Sequence, residues 1–256
     1  MIKAIFFDID GTLISFKTHK IADSTIQALK DLRKKGIKLF IATGRGKDGL
    51  GALEDLPFDG FITMNGQYCF SGDEVIYENA VDKDDIKTLL NYIEDHPIAC
   101  GFITKDRKFY NKRNERVEEL NKITKNDATP ASDVSILTDY NVYQCMLFVD
   151  EPQEKEIMKL LPNSISSRWH HLFCDVSPMG GTKQNGIDKF LEHFDIKLSE
   201  TMALGDGGND IPMLKHVAVG VAMGNASKEV KDVADYVTDD VDNDGVVNAL
   251  KHFNLL

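Results

Sequence analysis

Apolar positions along the chain come in short unbroken runs, separated by stretches with helical spacing. The run "IKAIFFD" (2–8) is nearly continuous and ends on an acid. That is the pattern of a strand covered on both faces. In "ADSTIQALKDLRKKG" (22–36), Ile26, Leu29 and Leu32 recur at helical spacing, polar residues precede them, Lys34 and Lys35 close the last turn, and Gly36 is the stop. "IKLFIAT" (37–43) reads as a second buried strand. "FDGFITM" (58–64) reads as a third, after a short helical segment around Leu50–Leu56. Strand, helix and strand at these lengths predict a right-handed βαβ unit and a parallel sheet. The rhythm returns late in the chain: "TMALGD" (201–206), a helix from Asn209, "AVGVAMG" (218–224), a helix from Ser227, "DYVT" (235–238) and a last helix "GVVNALKHF" (245–253).

The middle follows another pattern. From Asp82 to Thr182 it gives a helix (82–96), short strands at 98–104 and 108–113, and a charged helical stretch. A strand at 142–150, another helix and a hairpin-like segment at 164–177 follow. Helices mixed with hairpins predict an α+β module inserted into an α/β domain. Loop chemistry lies at 126–133 and in "SPMGGTKQNG" (177–186), which marks the return crossing. The expected architecture is a Rossmann-like parallel-sheet core, 1–81 and 183–256, carrying a cap at 82–182.

Composition narrows the partners. A net charge of -11 over 256 residues argues against nucleic acid and anionic membranes, which demand a basic footprint. It leaves room for a small anionic substrate at a local positive site. Cys69, Cys100, Cys145 and Cys174 are scattered without metal-ligand spacing and read as buried thiols in a reducing compartment. Asp8 interrupts the N-terminal apolar run too early for a signal-peptide core, and no run nears the ~20 apolar residues of a membrane span. A cytoplasmic, soluble protein, monomeric or a small homo-oligomer, is the expectation.

Candidate chemistry sits where strands end. In "FFDIDGTLI" (6–14), Asp8 closes a buried strand and Asp10 follows two residues later, on the same side of an extended chain. Adjacent carboxylates repel unless a cation lies between them or one holds a proton. In isolation the pair could equally be a surface turn. "LGDGGNDIPML" (204–214) repeats the theme: Asp206 ends a strand, and Asn209 and Asp210 open a helix that either could cap. Two strand ends delivering carboxylates to one edge suit a hard divalent ion, Mg²⁺ over softer metals. Thr43 and Gly44 in "IATGR", with Lys183 ahead of a helix, offer the hydroxyl, N–H and ammonium that phosphate oxygens require.

These segments in this order resemble the haloacid dehalogenase superfamily of phosphohydrolases, over essentially the whole chain. The α+β insertion and "ITMNGQYCF" (62–70) resemble its Cof-type branch with an α/β cap. One departure is that Gln184 and Asn185 separate Lys183 from Gly186, where a glycine often follows the lysine directly. The resemblance implies that Asp8 is a nucleophile forming an aspartyl-phosphate and that Asp10 is the general acid and base. It implies Mg²⁺ held by Asp8, the Asp10 carbonyl and Asp206, with Asn209 and Asp210 orienting metal-bound water and Lys183. Thr43, Lys183 and the N–H groups of Gly44 and Ile9 would stabilise the phosphoryl group. Arg45 is either a substrate contact or half of a salt bridge to a neighbouring acid.

The implied reaction is hydrolysis of a small phosphorylated metabolite, with sugar phosphates foremost. A phosphomutase of the phosphomannomutase-like type and a non-catalytic ligand-binding protein are the alternatives. Three features are set aside. Gly44, Gly46 and Gly49 match a dinucleotide fingerprint, but they follow the second strand and no acid ends the next one, so Gly46 and Gly49 are read as loosening the loop. "DVDNDG" (240–245) starts like an EF-hand loop, yet its twelfth position is Lys251, so it is read as an acidic cap for the last helix. Trp169, His170 and His171 are conspicuous in the insertion, but lack the spaced partners of a zinc site.

Overall fold

The computed structural model describes residues 1–124 and 129–256. In chain order it contains β1 (Ala4–Phe7), α1 (Asp23–Lys34), β2 (Lys38–Ala42), β3 (Gly60–Thr63), β4 (Tyr68–Ser71) and β5 (Glu74–Glu78). Then come α2 (Lys83–Asp95), β6 (Cys100–Ile103), β7 (Lys108–Tyr110), α3 (Glu115–Thr124), β8 (Gln144–Leu147), α4 (Glu151–Met158), β9 (Ser164–His170) and β10 (Phe173–Pro178). The chain closes with α5 (Lys183–Phe194), β11 (Thr201–Gly205), α6 (Ile211–His216), β12 (Val219–Ala222), α7 (Lys228–Lys231), β13 (Tyr236–Val237) and α8 (Gly245–His252). It divides into two compact units, Met1–Glu78 with Thr182–Leu256, and Asn79–Gly181.

The first unit is an α/β domain on an eight-stranded sheet ordered β13-β12-β11-β1-β2-β3-β4-β5. β1 and β11 are buried at every position, with no polar alternation, because helices cover both faces. Phe6 and Phe40 stack at 5.0 Å on the face that receives Phe190 of α5 and Met213 and Leu214 of α6. On α1, Ala28, Leu29 and Leu32 are buried. The residue ahead of α1 is Ala22, which makes no side-chain cap, and Gly36 beyond it takes φ +77°. The sheet is parallel from β13 to β3 and antiparallel at β4 and β5. The turn from β3 to β4 is too short for a parallel crossover, so the chain doubles back. The helix expected near residue 50 is a 3₁₀ segment, Gly51–Asp55, and α7 is a single turn.

The second unit is a five-stranded antiparallel sheet, β7-β6-β8-β10-β9. Ile86 and Leu89 of α2 and Ile157 of α4 pack on Phe102, Leu147 and Val176. Val117 and Leu120 of α3 cluster with Tyr110, Phe148 and Phe173. The loop expected at 126–133 falls partly outside the described residues. All four cysteines are free and buried, and burial pushes the Cys69 thiol up to about 12.

Strand order in the first unit determines where a site can form. β1 lies between β2, reached by one crossover, and β11, reached from the far end of the chain. The direction of winding therefore reverses at β1 and β11, which is where open α/β sheets open a crevice at their carboxyl edge. The carboxyl ends of β12, β11, β1, β2 and β3 stand side by side there.

Candidate functional site

Asp8 leaves the end of β1 with its N–H donating to Leu204 O of β11 at 3.0 Å and its side chain nearly buried. Lys183, at the start of α5, is wholly buried, and its Nζ stands 2.5 Å from Asp8 Oδ1 and 2.6 Å from Asp210 Oδ1. Asp210 is equally buried. Its Oδ2 accepts from the N–H groups of Asp206 (3.0 Å) and Gly207 (2.9 Å). One ammonium and two amides therefore satisfy Asp210, whereas among the described residues one Asp8 oxygen has no hydrogen-bond partner.

Asp206 follows β11. It accepts from Thr12 Oγ1 at 3.4 Å and from Asn225 Nδ2 at 3.0 Å. Gly11 passes directly beneath it with φ +82°, and a Cβ there would lie 2.2 Å from Asp206 Oδ2. Only glycine accommodates both that conformation and that approach.

Carboxylate oxygens of Asp8, Asp206 and Asp210 all lie within 4.8 Å of one another. Three carboxylates and one ammonium leave a formal charge of -2 in a desolvated pocket. Burial pushes Asp8 up to about 7 even though Lys183 draws it down. Burial also lifts Asp206 to about 6, with Asp210 adding to the rise. For Lys183, burial disfavours the ammonium, but Asp210 and Asp8 outweigh it and hold the group above its ordinary value. Excess negative charge presented on oxygen atoms alone fits a divalent metal, which this cluster can coordinate.

Buried Thr43 follows β2, and its Oγ1 accepts from the Arg45 N–H at 3.1 Å. Of the two readings for Arg45, the structure has the salt bridge. Nε and Nη2 grip the two oxygens of Asp10 at 2.8 and 2.5 Å, and Nη1 donates to Gly49 O at 2.8 Å. The loop holding Gly46 and Gly49 is thus clamped rather than loosened, with the Gly49 N–H donating to Gly46 O. The Asp10 side chain is 44% exposed and is not one of the three carboxylates that converge within 4.8 Å. The turn after β3 supports this loop from below: Met64 and Asn65, both left-handed, donate their N–H groups to Arg45 O and Thr43 O. Asn209 follows β11 in the same turn as Asp210. Its Nδ2 donates to Asn65 Oδ1 at 3.0 Å.

Elsewhere, Asp240 caps a 3₁₀ turn through the Asp242 N–H, and the residue ahead of α8 is Asp244, which makes no side-chain cap. Asp242 and Asp244 instead accept from Ser15 and Ser24. In the second unit, His170 Nδ1 accepts from the Leu172 N–H in the β9–β10 hairpin, and the side chain of Trp169 lies outside those described. Thr12, Asn65 and Asn225 join the site without having been singled out from sequence. For Asn225 a signal existed, since "AVGVAMGN" is another apolar run ending on a polar residue.

A family model described as haloacid dehalogenase-like hydrolase matches residues 5–250. The Bacillus subtilis protein YkrA is 37% identical over 258 residues, covering 99% of this chain and 98% of its own. The solved phosphatase BT1666 from Bacteroides thetaiotaomicron is 41% identical with a TM-score of 0.92, covering 100% of this chain and 96% of the other. The solved sugar phosphatase BT4131 is 45% identical with a TM-score of 0.85, covering 99% and 100%. Family model, full-length identity and superposable fold agree with the strand-end acids: this chain belongs to the haloacid dehalogenase superfamily, as a phosphatase of its Cof-type branch.

Proposed function

We propose that this phosphatase hydrolyses small phosphorylated metabolites, sugar phosphates foremost, with Mg²⁺ and through an aspartyl-phosphate on Asp8. The observation that carries the reading is the desolvated Asp8 carboxylate, one oxygen held by buried Lys183, with carboxylate oxygens of Asp206 and Asp210 within 4.8 Å. Mg²⁺ held by Asp8, the Asp10 carbonyl and Asp206 would supply positive charge against the phosphate oxygens. Asp8 attacks phosphorus, and the bond to the leaving oxygen breaks as Asp10 protonates it. Asp10 then takes a proton from the water that attacks the acyl phosphate, releasing inorganic phosphate and restoring Asp8. Lys183, the Thr43 hydroxyl and the N–H groups of Ile9 and Gly44 stabilise the transferring group, Asp210 keeps Lys183 in place, and Asn209 acts through the Asn65 turn. The inserted unit, Asn79–Gly181, is assigned the part of setting substrate specificity.

Support for a sugar-like substrate comes from relatives: BT4131 is a sugar phosphatase, and YcsE of Bacillus subtilis, 27% identical, is a phosphatase of 5-amino-6-(5-phospho-D-ribitylamino)uracil. The test is phosphate release from a panel of sugar phosphates, nucleotides and p-nitrophenyl phosphate, with and without Mg²⁺, by wild type and Asp8→Asn. Sugar phosphates should give the highest kcat/KM, and Asp8→Asn should be inactive. Equal activity of the two proteins sinks the covalent route. Appearance of an isomerised sugar phosphate in place of free phosphate sinks the hydrolase reading.

A further inference from the structure

The Asn225 side chain joins three segments that are far apart in sequence. Its Nδ2 donates to Gly11 O at 2.9 Å and to Asp206 Oδ2 at 3.0 Å, while its Oδ1 accepts from the Val241 N–H at 3.0 Å. A backbone N–H can only donate, so the Val241 contact fixes which end of the amide is oxygen. Both amide hydrogens are then left for the two acceptors on the other side. The backbone around Asn225 is anchored as well: the Met223 N–H donates to Gly205 O and the Gly224 N–H to Asp239 O.

Asp206 and Asp210 are thereby held in different ways. Asp210 is ion-paired to Lys183, which it shares with Asp8. Asp206 is held by Asn225 and, at longer range, by Thr12, both neutral donors. Neutral donors fix the direction of a carboxylate while leaving its full charge available to a cation. From this geometry we infer that Asn225 is a positioning residue for Asp206, setting the metal affinity of the site by orienting that carboxylate and tying it to the Gly11 loop and the turn at 240–243. The inference rests on the Mg²⁺ reading given above.

The experiment titrates metal-free protein with MgCl₂ by calorimetry, so that the readout is binding and not turnover. Asn225→Ala and the near-isosteric Asn225→Leu should each raise the Mg²⁺ Kd by about 10- to 100-fold, the range for loss of a partner behind a metal ligand. Asp242→Ala is the control: it releases the same turn from Ser15 and Lys17 without touching Asp206, and its Kd should stay within about twofold of wild type. Three results overturn the inference. If either folded Asn225 variant binds Mg²⁺ like wild type, Asn225 does not set the affinity. If Asp242→Ala weakens binding as much as they do, the effect belongs to the turn. If wild type itself binds no Mg²⁺, the inference falls together with the metal reading, a pattern distinct from the first two.

Discussion

Lys183→Met removes the one cation that, among the described residues, contacts Asp8 and Asp210, while keeping an unbranched stem of similar length. The formal charge of the cluster falls from -2 to -3 in a site where Lys183 and Asp210 are fully buried. Two unit charges 4.8 Å apart repel by roughly 3 kcal/mol at an effective dielectric of about 20. Breaking a buried pair costs about 3–5 kcal/mol. The cluster can relieve this by binding protons. Asp8 already sits at about 7 with Lys183 drawing it down, so without the lysine it must titrate higher still. An aspartate with a raised native pKa leaves the native state holding more protons than the unfolded chain between about pH 4 and that pKa, so stability falls as pH rises through the window.

Urea unfolding of the metal-free proteins should therefore show Lys183→Met less stable than wild type by about 3–5 kcal/mol at pH 8. At pH 5, with Asp8 and Asp206 protonated, the deficit should shrink to about half or less. Activity should fall at least about a hundredfold at either pH, the usual cost of losing one oxyanion donor. A deficit that is equal at the two pH values, or below about 1 kcal/mol at pH 8, would refute the claim that Lys183 offsets buried carboxylate charge.

Proton release on Mg²⁺ binding tests the same electrostatics. At pH 6, calorimetry in two buffers of different ionisation enthalpy should report release of roughly one to one and a half protons, because burial lifts Asp8 to about 7 and Asp206 to about 6; at pH 8 the buffer dependence should nearly vanish. Gly11→Ala should lower stability by roughly 1–3 kcal/mol through its positive φ, and weaken Mg²⁺ binding through the Cβ placed against Asp206; an unchanged Tm and Kd would contradict both. Arg45→Ala should change stability by under about 1 kcal/mol, because both partners of the Asp10 bridge are partly exposed. Its kcat should nonetheless drop about tenfold or more as Asp10 loses its orientation. Arg45→Lys should recover only part of that rate, since an ammonium cannot hold both oxygens in a fork. Wild-type kcat in Arg45→Ala would remove Arg45 from the account of Asp10.

The features legible in the sequence are those written in local periodicity. "IKAIFFD" and "TMALGD" are apolar at consecutive positions because both faces of their strands are covered, and α1 carries its apolar residues at helical spacing because one face is. Acids at the ends of such runs, in the order and company found here, identify the superfamily. The edge hairpin β4–β5 was not legible, since β5 is half exposed and carries little apolar alternation. The 3₁₀ segment at Gly51–Asp55 and the single turn of α7 fall below the length at which periodicity can be read.

Partners were a different matter. Each strand-end residue has the same local pattern whichever strand it lies beside. Only the sheet order, with β1 between β11 and β2, brings residues 8, 43, 206 and 225 to one edge. Which acid takes Lys183 and which takes Asn225, and that Arg45 turns to Asp10, depend on distances of a few ångströms across that edge. The sequence alone thus determined which chemical groups stand at strand ends and the family they indicate, because those follow from covalent order and local burial. Tertiary structure decided which of those groups meet and how their charges balance, because long-range packing sets both.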